Sequence, residues 1–282
     1  MISKKYDLHL HSYYSDGSSS IAEIINILKE KKINAFSITD HNCIYGLNEA
    51  ETLAKKNNLE FINGVEINAK HTEILAYFFN EEDSQLNRII EKNKIAKEKI
   101  AIEKLEKLQD NNVNIEVEDL YLAAANSKAI ATTHLAKALV TKKLATTIQH
   151  AFDKFNLNKL NISSYERFLE KEVIKAIVNA NGVAVLPHPS YLSENIKLDF
   201  ENYLIKLKTY GLSGIELNYP YPLEHKEFVE NTKILAKEIE LIPTAGSDYH
   251  DINLFPENKI GKFTCNEAII KKLKERISDG QK

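Results

Sequence analysis

Short apolar runs with strand spacing alternate with amphipathic helical stretches at both ends of the chain. Runs near 6–10, 35–39, 60–67, 73–79, 183–187, 214–218 and 241–246 read as strands. Between the first two, Ser20-Ile21-Ala22-Glu23 has the form of a capping box. Ile24, Ile25, Ile27 and Leu28 then share a helical face, and a lysine-rich stretch from Lys29 to Lys32 suits the negative end of a helix dipole. Residues 46–57, 199–210, 222–238 and 266–277 give further helices. Strands alternating with helices predict βα units around a parallel sheet.

The middle of the chain breaks this rhythm. Residues 81–180 read as helical throughout, with Ile89, Ile90, Ile95, Ile100, Leu105 and Leu108 spaced among many lysines and glutamates. Regular heptads are not sustained, so the segment reads as an inserted helical subdomain rather than a coiled coil. A length of 282 residues fits one barrel-sized α/β domain with such an insertion. The expected division is a barrel from 1–80 and 181–282 with a helical insertion at 81–180.

Composition acts mainly by exclusion. With 43% hydrophobic and 27% charged residues, 9 Gly and 6 Pro, the chain is neither disordered nor collagen-like. Cys43 and Cys265 form no CxxC pair, which argues against a thiolate zinc site and suits a reducing cytoplasm. Neither an apolar leader nor an apolar run of ~18 residues is evident, so no membrane association is expected. A net charge of -3 argues against wrapping a long duplex nucleic acid, which needs concentrated positive charge. The arginines are Arg88, Arg167 and Arg276, so guanidinium clamps on phosphate must be scarce.

The residues that close each strand carry the chemistry, because a parallel barrel builds its site at the carboxyl ends of its strands. The first strand runs Asp7-Leu8-His9-Leu10-His11, and the strand period puts His9 and His11 on one face. Ser15-Asp16-Gly17 is a turn able to aim Asp16 at the same place. The second strand ends in Thr39-Asp40-His41, with Asp40 an expected acceptor behind a ligand imidazole and His41 an expected ligand. Gly64-Val65-Glu66, Pro187-His188-Pro189, Ile215-Glu216-Leu217-Asn218 and Ser247-Asp248-Tyr249-His250 repeat the pattern. Ionisable groups directly after apolar runs are expensive to bury unless paired or metal-bound. Mixed imidazole and carboxylate donors suit Zn²⁺, Mn²⁺ or Fe²⁺, and so many donors exceed one ion's needs. Two or three divalent ions, with Glu66 bridging, would activate water against a phosphate ester.

The ordered set His9-x-His11, Asp16, Thr39-Asp40-His41, Glu66, His188-Pro189 and Ser247-Asp248-x-His250 resembles the PHP family, named for polymerase and histidinol phosphatase. The resemblance covers nearly the whole chain. It implies a distorted (β/α)7 barrel with an inserted helical subdomain and a two- or three-metal phosphoesterase centre. It is most similar to the stand-alone branch of nucleoside bisphosphate phosphatases and exonucleases on short RNA. The ligands it implies are His9, His11, Asp16, His41, Glu66, His188, Asp248 and His250, with Glu66, Asp16 and His188 as catalytic residues. The implied substrate is a phosphomonoester such as a nucleotide or the 5′ end of a short oligonucleotide. A metal- and nucleotide-binding sensor without turnover, or a metal-dependent hydrolase of a non-phosphate ester, are the rival readings.

Three departures from the family pattern bear on the site. Glu73 stands before Ile74-Leu75-Ala76-Tyr77 where relatives carry a histidine, so either Glu73 replaces that imidazole or His71 reaches in. Thr132 stands where an arginine often precedes Thr133-His134, leaving His134 to face a phosphate or a metal. Ser190-Tyr191 follows the His-Pro motif where an arginine is common. Among substrate contacts, Tyr219 in Tyr219-Pro220-Tyr221-Pro222 is a candidate to stack a base.

Overall fold

The computed structural model describes residues 4–163, 165–251 and 255–279, without the side chains of the last two. In chain order, β1 (Lys5–Leu10), α1 (Ile21–Glu30), β2 (Ala35–Ile38), α2 (Leu47–Lys56), β3 (Glu60–Asn68) and β4 (Glu73–Tyr77) come first. The helices α3 (Ser84–Asp110), α4 (Val117–Ala124), α5 (Thr132–Thr141), α6 (Ile148–Lys154) and α7 (Glu170–Asn179) follow. The barrel then resumes with β5 (Val183–Leu186), α8 (Glu194–Lys197), α9 (Phe200–Tyr210), β6 (Gly214–Asn218), α10 (Lys226–Glu238), β7 (Ile242–Ala245), β8 (Cys265–Asn266) and α11 (Glu267–Asp279). All seven expected strands are present, and β8 is an addition too short to carry a periodic signal. The Ser20 capping box forms as read, with Ser20 Oγ accepting from Glu23 N–H and Glu23 accepting from Ser20 N–H.

The sheet order is β7-β6-β5-β4-β3-β2-β1-β8. Its ends come together where Leu10 bridges Tyr249 and His11 N–H donates to the Tyr249 carbonyl at 2.8 Å, giving a distorted, nearly closed barrel. The expectation of a parallel sheet needs one correction. β4 runs antiparallel to both neighbours, pairing Asn68 with Glu73 and Tyr77 with Val183. A hairpin through residues 69–72 makes this reversal, and it places the amino end of β4 at the mouth where its neighbours end. Glu73 therefore reaches the mouth from the start of a strand. A second correction concerns β1, whose register against β2 slips between Asp7 and Leu10. Leu8 then joins Tyr6 and Tyr77 in one core, while Leu10 packs with Ile21, Ile24, Ile25 and Leu28 of α1.

Close strand approach is needed beneath the mouth. A Cβ on Gly64 would fall onto Ser37 Oγ and lie 2.9 Å from Thr39 Cγ2, so β2 and β3 pack here only because position 64 has no side chain.

The middle of the chain is not helical throughout, since the described residues of 155–169 form no regular helix. Packing also divides it. Leu86, Ile89 and Ile90 of α3 and Val173, Ile174 and Ile177 of α7 belong to the barrel core. Ala101, Leu105 and Leu108 of α3 form a separate core with Leu120, Leu135, Leu139, Ile148 and Leu157. One 27-residue helix thus spans both cores. Docking between them is polar: Lys128 N–H donates to Tyr14 O, Lys137 Nζ to Asp16 O, and Thr133 Oγ1 to Asp16 Oδ2.

His134 completes this joint. Its Nδ1 accepts from Ala131 N–H at 3.0 Å and its Nε2–H donates to Ser15 O at 3.1 Å, so both nitrogens bond to backbone. The sequence reading placed His134 against substrate or metal; instead it is buried and holds the loop that carries Asp16. Burial pushes its pKa down to about 4. The neutral form is therefore preferred in the folded protein, and stability is lost as pH falls from about 6.5 through about 4, because the unfolded chain takes up the proton first. Metal-free protein should lose roughly 2–3 kcal/mol more stability between pH 7.5 and pH 4 than its His134→Gln variant does. Urea unfolding at the two pH values checks this, and parallel pH profiles for the two proteins would refute it.

Candidate metal centre

At the barrel mouth the structure brings together nine residues read from the sequence: His9, His11, Asp16, His41, Glu66, Glu73, His188, Asp248 and His250. His9 and His11 Nε2 lie 3.1 Å apart despite the slipped register. Glu66 sits between them and the later strands. Its Oε2 is 3.5 Å from His9 Nε2, 3.4 Å from His11 Nε2 and 3.0 Å from His41 Nδ1, and its Oε1 is 2.9 Å from His188 Nε2. Asp248 Oδ1 is 3.3 Å from His11 Nε2 and 3.5 Å from His250 Nδ1, while Asp16 Oδ1 is 3.4 Å from His250 Nε2. Glu73 Oε1 is 3.3 Å from His41 Nδ1.

These donors fit divalent ions. Three groups have their potential ligand atoms within 4.8 Å of one another: His11, Asp16, His41 and His250; His9, His11 and Glu66; His41, Glu66 and Glu73. The buried atoms Asp16 Oδ1, His41 Nδ1, Glu66 Oε2 and Asp248 Oδ1 have no aligned hydrogen-bond partner. Buried oxygens and nitrogens left without partners are costly unless a cation completes them.

The electrostatics point the same way. Burial alone would raise the carboxyl of Glu66, yet the imidazoles of His41 and His9 hold it well below its usual range. Asp16 is likewise held low by His250 and His41 against the effect of burial. Burial would lower His9, but Glu216, Glu66 and Asp248 hold it well above its ordinary value. His11, buried and flanked by His250, is pushed down to about 3. The acidic groups stay ionised and demand positive charge that imidazolium or a metal must supply.

A second layer aims these ligands, and here the sequence reading missed two residues. Glu216 is fully buried, accepts from His9 Nδ1–H at 3.1 Å and from His188 N–H at 3.0 Å, and so fixes one imidazole and one loop. A carboxylate behind a ligand histidine sets its tautomer and orientation. Glu216 was among the strand ends quoted, but only its neighbours in space separate it from a ligand. Asp7, also buried, accepts from Ser247 N–H, Ser247 Oγ and Gly261 N–H and ties down the loop that bears Asp248. Gly246 lets that loop pass: a Cβ there would land on the His9 side chain and 2.8 Å from Glu216 Oε1. His188 and Asp248 themselves have φ of 28° and 46°, a region that non-glycine residues enter at a cost. The loops after β5 and β7 bear that strain while turning these two side chains into the cluster.

Two further expectations are corrected, and of the two residues offered in place of the missing imidazole one joins a donor group. Asp40 supports no imidazole; it accepts from Ser12 N–H, Ser12 Oγ and Ser15 Oγ and shapes the loop before Asp16. Tyr219 is fully buried, its hydroxyl accepting from Ser190 N–H at 3.0 Å, so it is closed to a base. His71 is exposed on the hairpin turn and joins none of the donor groups, whereas Glu73 does.

Comparison with known proteins agrees with the architecture. Residues 7–172 match the PHP domain family. The chain is 27% identical over 257 residues to a 5′-3′ exoribonuclease of Haemophilus influenzae, covering 88% of this chain and 91% of that one. It is 25% identical to a 3',5'-nucleoside bisphosphate phosphatase of Chromobacterium violaceum, over 86% of each chain. Among solved structures, an amidohydrolase from Chromobacterium violaceum with bound sulfate and no metal superposes with a TM-score of 0.83 at 23% identity, over 98% of this chain and 99% of that one.

Metal stoichiometry separates the roles of the carboxylates. Glu73→Ala should lose one ion per chain and His71→Ala none, measured by elemental analysis of protein purified with excess Mn²⁺. Glu216→Gln should keep the full count under excess metal but bind it about 10–100-fold more weakly. Loss of an ion from His71→Ala alone would transfer the ligand role to His71.

Proposed function

The chain belongs to the PHP domain family, and from that premise we propose that it hydrolyses a phosphomonoester, such as a nucleotide or the 5′ end of a short oligonucleotide, at a centre of two or three divalent ions. The observation that carries this reading is the sharing of donors: His11, His41 and Glu66 each belong to two of the three groups. Glu66, common to two of these groups, would then be a carboxylate shared between ions. His9, His11, Asp16, His41, Glu66, Glu73, His188, Asp248 and His250 would hold the ions. Bound there, the ions would supply Lewis acidity and an activated water for attack on phosphorus. A site with Glu73 in place of an imidazole offers one more hard oxygen, which favours Mn²⁺ or Fe²⁺ over Zn²⁺.

The chain's own groups give the rest. Asp16 would hold an ion through its unpartnered Oδ1 while Oδ2 accepts from Thr133 Oγ1, which keeps the carboxylate oriented beside the attacking water. His188 faces the opposite side of Glu66, next to Tyr191 at 5.8 Å between ring centroids, where it can orient the phosphoryl group. A cavity of about 410 Å³ opens over the cluster. Its outer wall includes Thr133, Gln149, Phe152 and Asn158 from the insertion and Tyr191 and Phe255 from the barrel. That is room for a small phosphorylated molecule and excludes a long duplex. On this reading the barrel of 1–80 and 181–282 supplies the reaction centre, and the part of 81–180 that has its own core, outside the start of α3 and α7, supplies a roof. No helix among the described residues is long and apolar enough to cross a membrane, and with its two free cysteines we read the protein as cytoplasmic.

The test is phosphate release from adenosine 5′-phosphate, adenosine 3′,5′-bisphosphate and a 5′-phosphorylated tetraribonucleotide, with Mn²⁺ and after chelation. Multiple turnover of at least one, falling more than 100-fold on chelation and restored by Mn²⁺, is expected. Stoichiometric metal with binding but no turnover of any substrate would replace this reading with that of a sensor.

A further inference from the structure

The family's usual arginines are absent from this centre, and the structure supplies positive charge from elsewhere. Beside the metal cluster lies a second cavity of about 260 Å³, lined by Lys70, His71 and Arg167 together with Glu73, His188 and Tyr191. The last three also line the cavity over the metal donors, so the two spaces share one wall. We propose that Lys70, His71 and Arg167 form an anion subsite that holds a second phosphate of the substrate while the first occupies the metal centre.

The subsite is assembled from two separate segments. Lys70 and His71 occupy the turn of the hairpin that reverses β4, directly before Glu73. Arg167 lies on the segment that returns from the insertion to the barrel, and that segment is pinned on both sides. Tyr165 OH donates to Glu103 Oε2 at 2.8 Å, Ser163 N–H donates to Glu103 Oε1 at 2.6 Å, and Phe168 packs on the barrel core beneath Lys92. The hairpin is fastened to the same segment's end, where His71 N–H donates to Glu170 Oε1 at 2.7 Å. Neither Lys70 nor Arg167 has an ion pair among the described residues. The one carboxylate facing this space, Glu73, is engaged elsewhere: it accepts from Asn68 Nδ2 at 2.7 Å and lies 3.3 Å from His41 and 3.8 Å from Lys97. A guanidinium and an ammonium without counterions, in a pocket that adjoins a phosphate-hydrolysing centre, match a phosphate by charge and by the planar donor fork of arginine. One of the chain's few arginines is thus held beside the site whose motifs lack them.

This inference rests on the phosphoesterase reading for the identity of the first phosphate, and its test keeps the two apart. Calorimetric titration of adenosine 3′,5′-bisphosphate and adenosine 5′-phosphate into Ca²⁺-loaded protein, under conditions of no turnover, gives a preference ratio independent of hydrolysis. The ratio should fall about 10-fold in Arg167→Ala, fall further in the double variant with Lys70→Ala, and be partly retained in Arg167→Lys. Lys237→Ala, on the opposite end of the barrel, should leave it unchanged. With Mn²⁺ present, KM for the bisphosphate should rise about 10-fold in Arg167→Ala with kcat changed less than 3-fold. An unchanged ratio in the double variant overturns the subsite. A ratio that falls as expected in a protein that hydrolyses neither compound leaves the subsite standing and overturns the phosphoesterase reading instead.

Discussion

Burying ionised carboxylates among imidazoles is unfavourable by several kcal/mol per charge unless a cation completes the set, and the barrel mouth is built around that constraint. Asp16, Glu66, Glu73 and Asp248 converge with His9, His11, His41, His188 and His250 in a space where Glu66 has no exposed surface. In the absence of a metal, protonated imidazoles such as His9 and His188 balance the carboxylates, with His188 held up at about 9 against the effect of burial, chiefly by its bond to Glu66. A divalent ion does the same work with a fixed charge and defined geometry. The cluster is therefore a cation site first, and its use in phosphate chemistry follows from having more donors than one ion requires.

The scaffold meets this constraint by spending ordinary packing features on aim. β4 reverses so that Glu73 arrives at the mouth, Gly246 lets the loop after β7 cross His9, and Asp7 anchors that loop through three hydrogen bonds. The φ of 28° at His188 and 46° at Asp248 belong to the same economy, since backbone strain persists only where surrounding contacts over-determine it. Glu216 links the first and sixth strands through His9, and its other oxygen holds the His188 amide. Removing any one of these supports alters the direction of a ligand without touching the metal.

The strands, the barrel and the gathering of ionisable side chains at its mouth were legible in the sequence because they leave local marks: period-two apolar runs and ionisable residues at strand ends. What was not legible depends on three-dimensional neighbours. Nothing in Glu73-Ile74-Leu75-Ala76-Tyr77 distinguishes an antiparallel strand from a parallel one; the distinction lies in the four residues that separate it from Asn68. Glu216 reads like any other strand-end carboxylate until its two oxygens are seen to be taken by His9 and His188. His134 and Tyr219 sat where a helix start and a barrel loop offered chemistry, but burial turned both inward onto backbone amides and carbonyls. Asp40 carries the same lesson, since its short hydrogen bonds to Ser12 and Ser15 form between segments that sequence periodicity treats separately.

The division of labour between barrel and insertion follows from these observations. Metal ligands must be held within a few tenths of an ångström, and every one in the donor groups comes from the barrel strands or the loops that follow them. Substrate contacts can vary, and the residues we propose for them come from the insertion and the returning segment, as Gln149, Phe152, Asn158 and Arg167 do, and from loops of the barrel, as Lys70, Tyr191 and Phe255 do. Helix α3 has one end in the barrel core and the other in the insertion's own core, so the roof is rigidly mounted while its inner surface remains free to change. The absence of arginine at Thr132 and after His188-Pro189 therefore need not abolish recognition of phosphate. Charge removed from a rigid strand end can be supplied from the roof or the β3–β4 turn, because a phosphate bound by metals on one side needs only a complementary charge, in any of several positions, on the other.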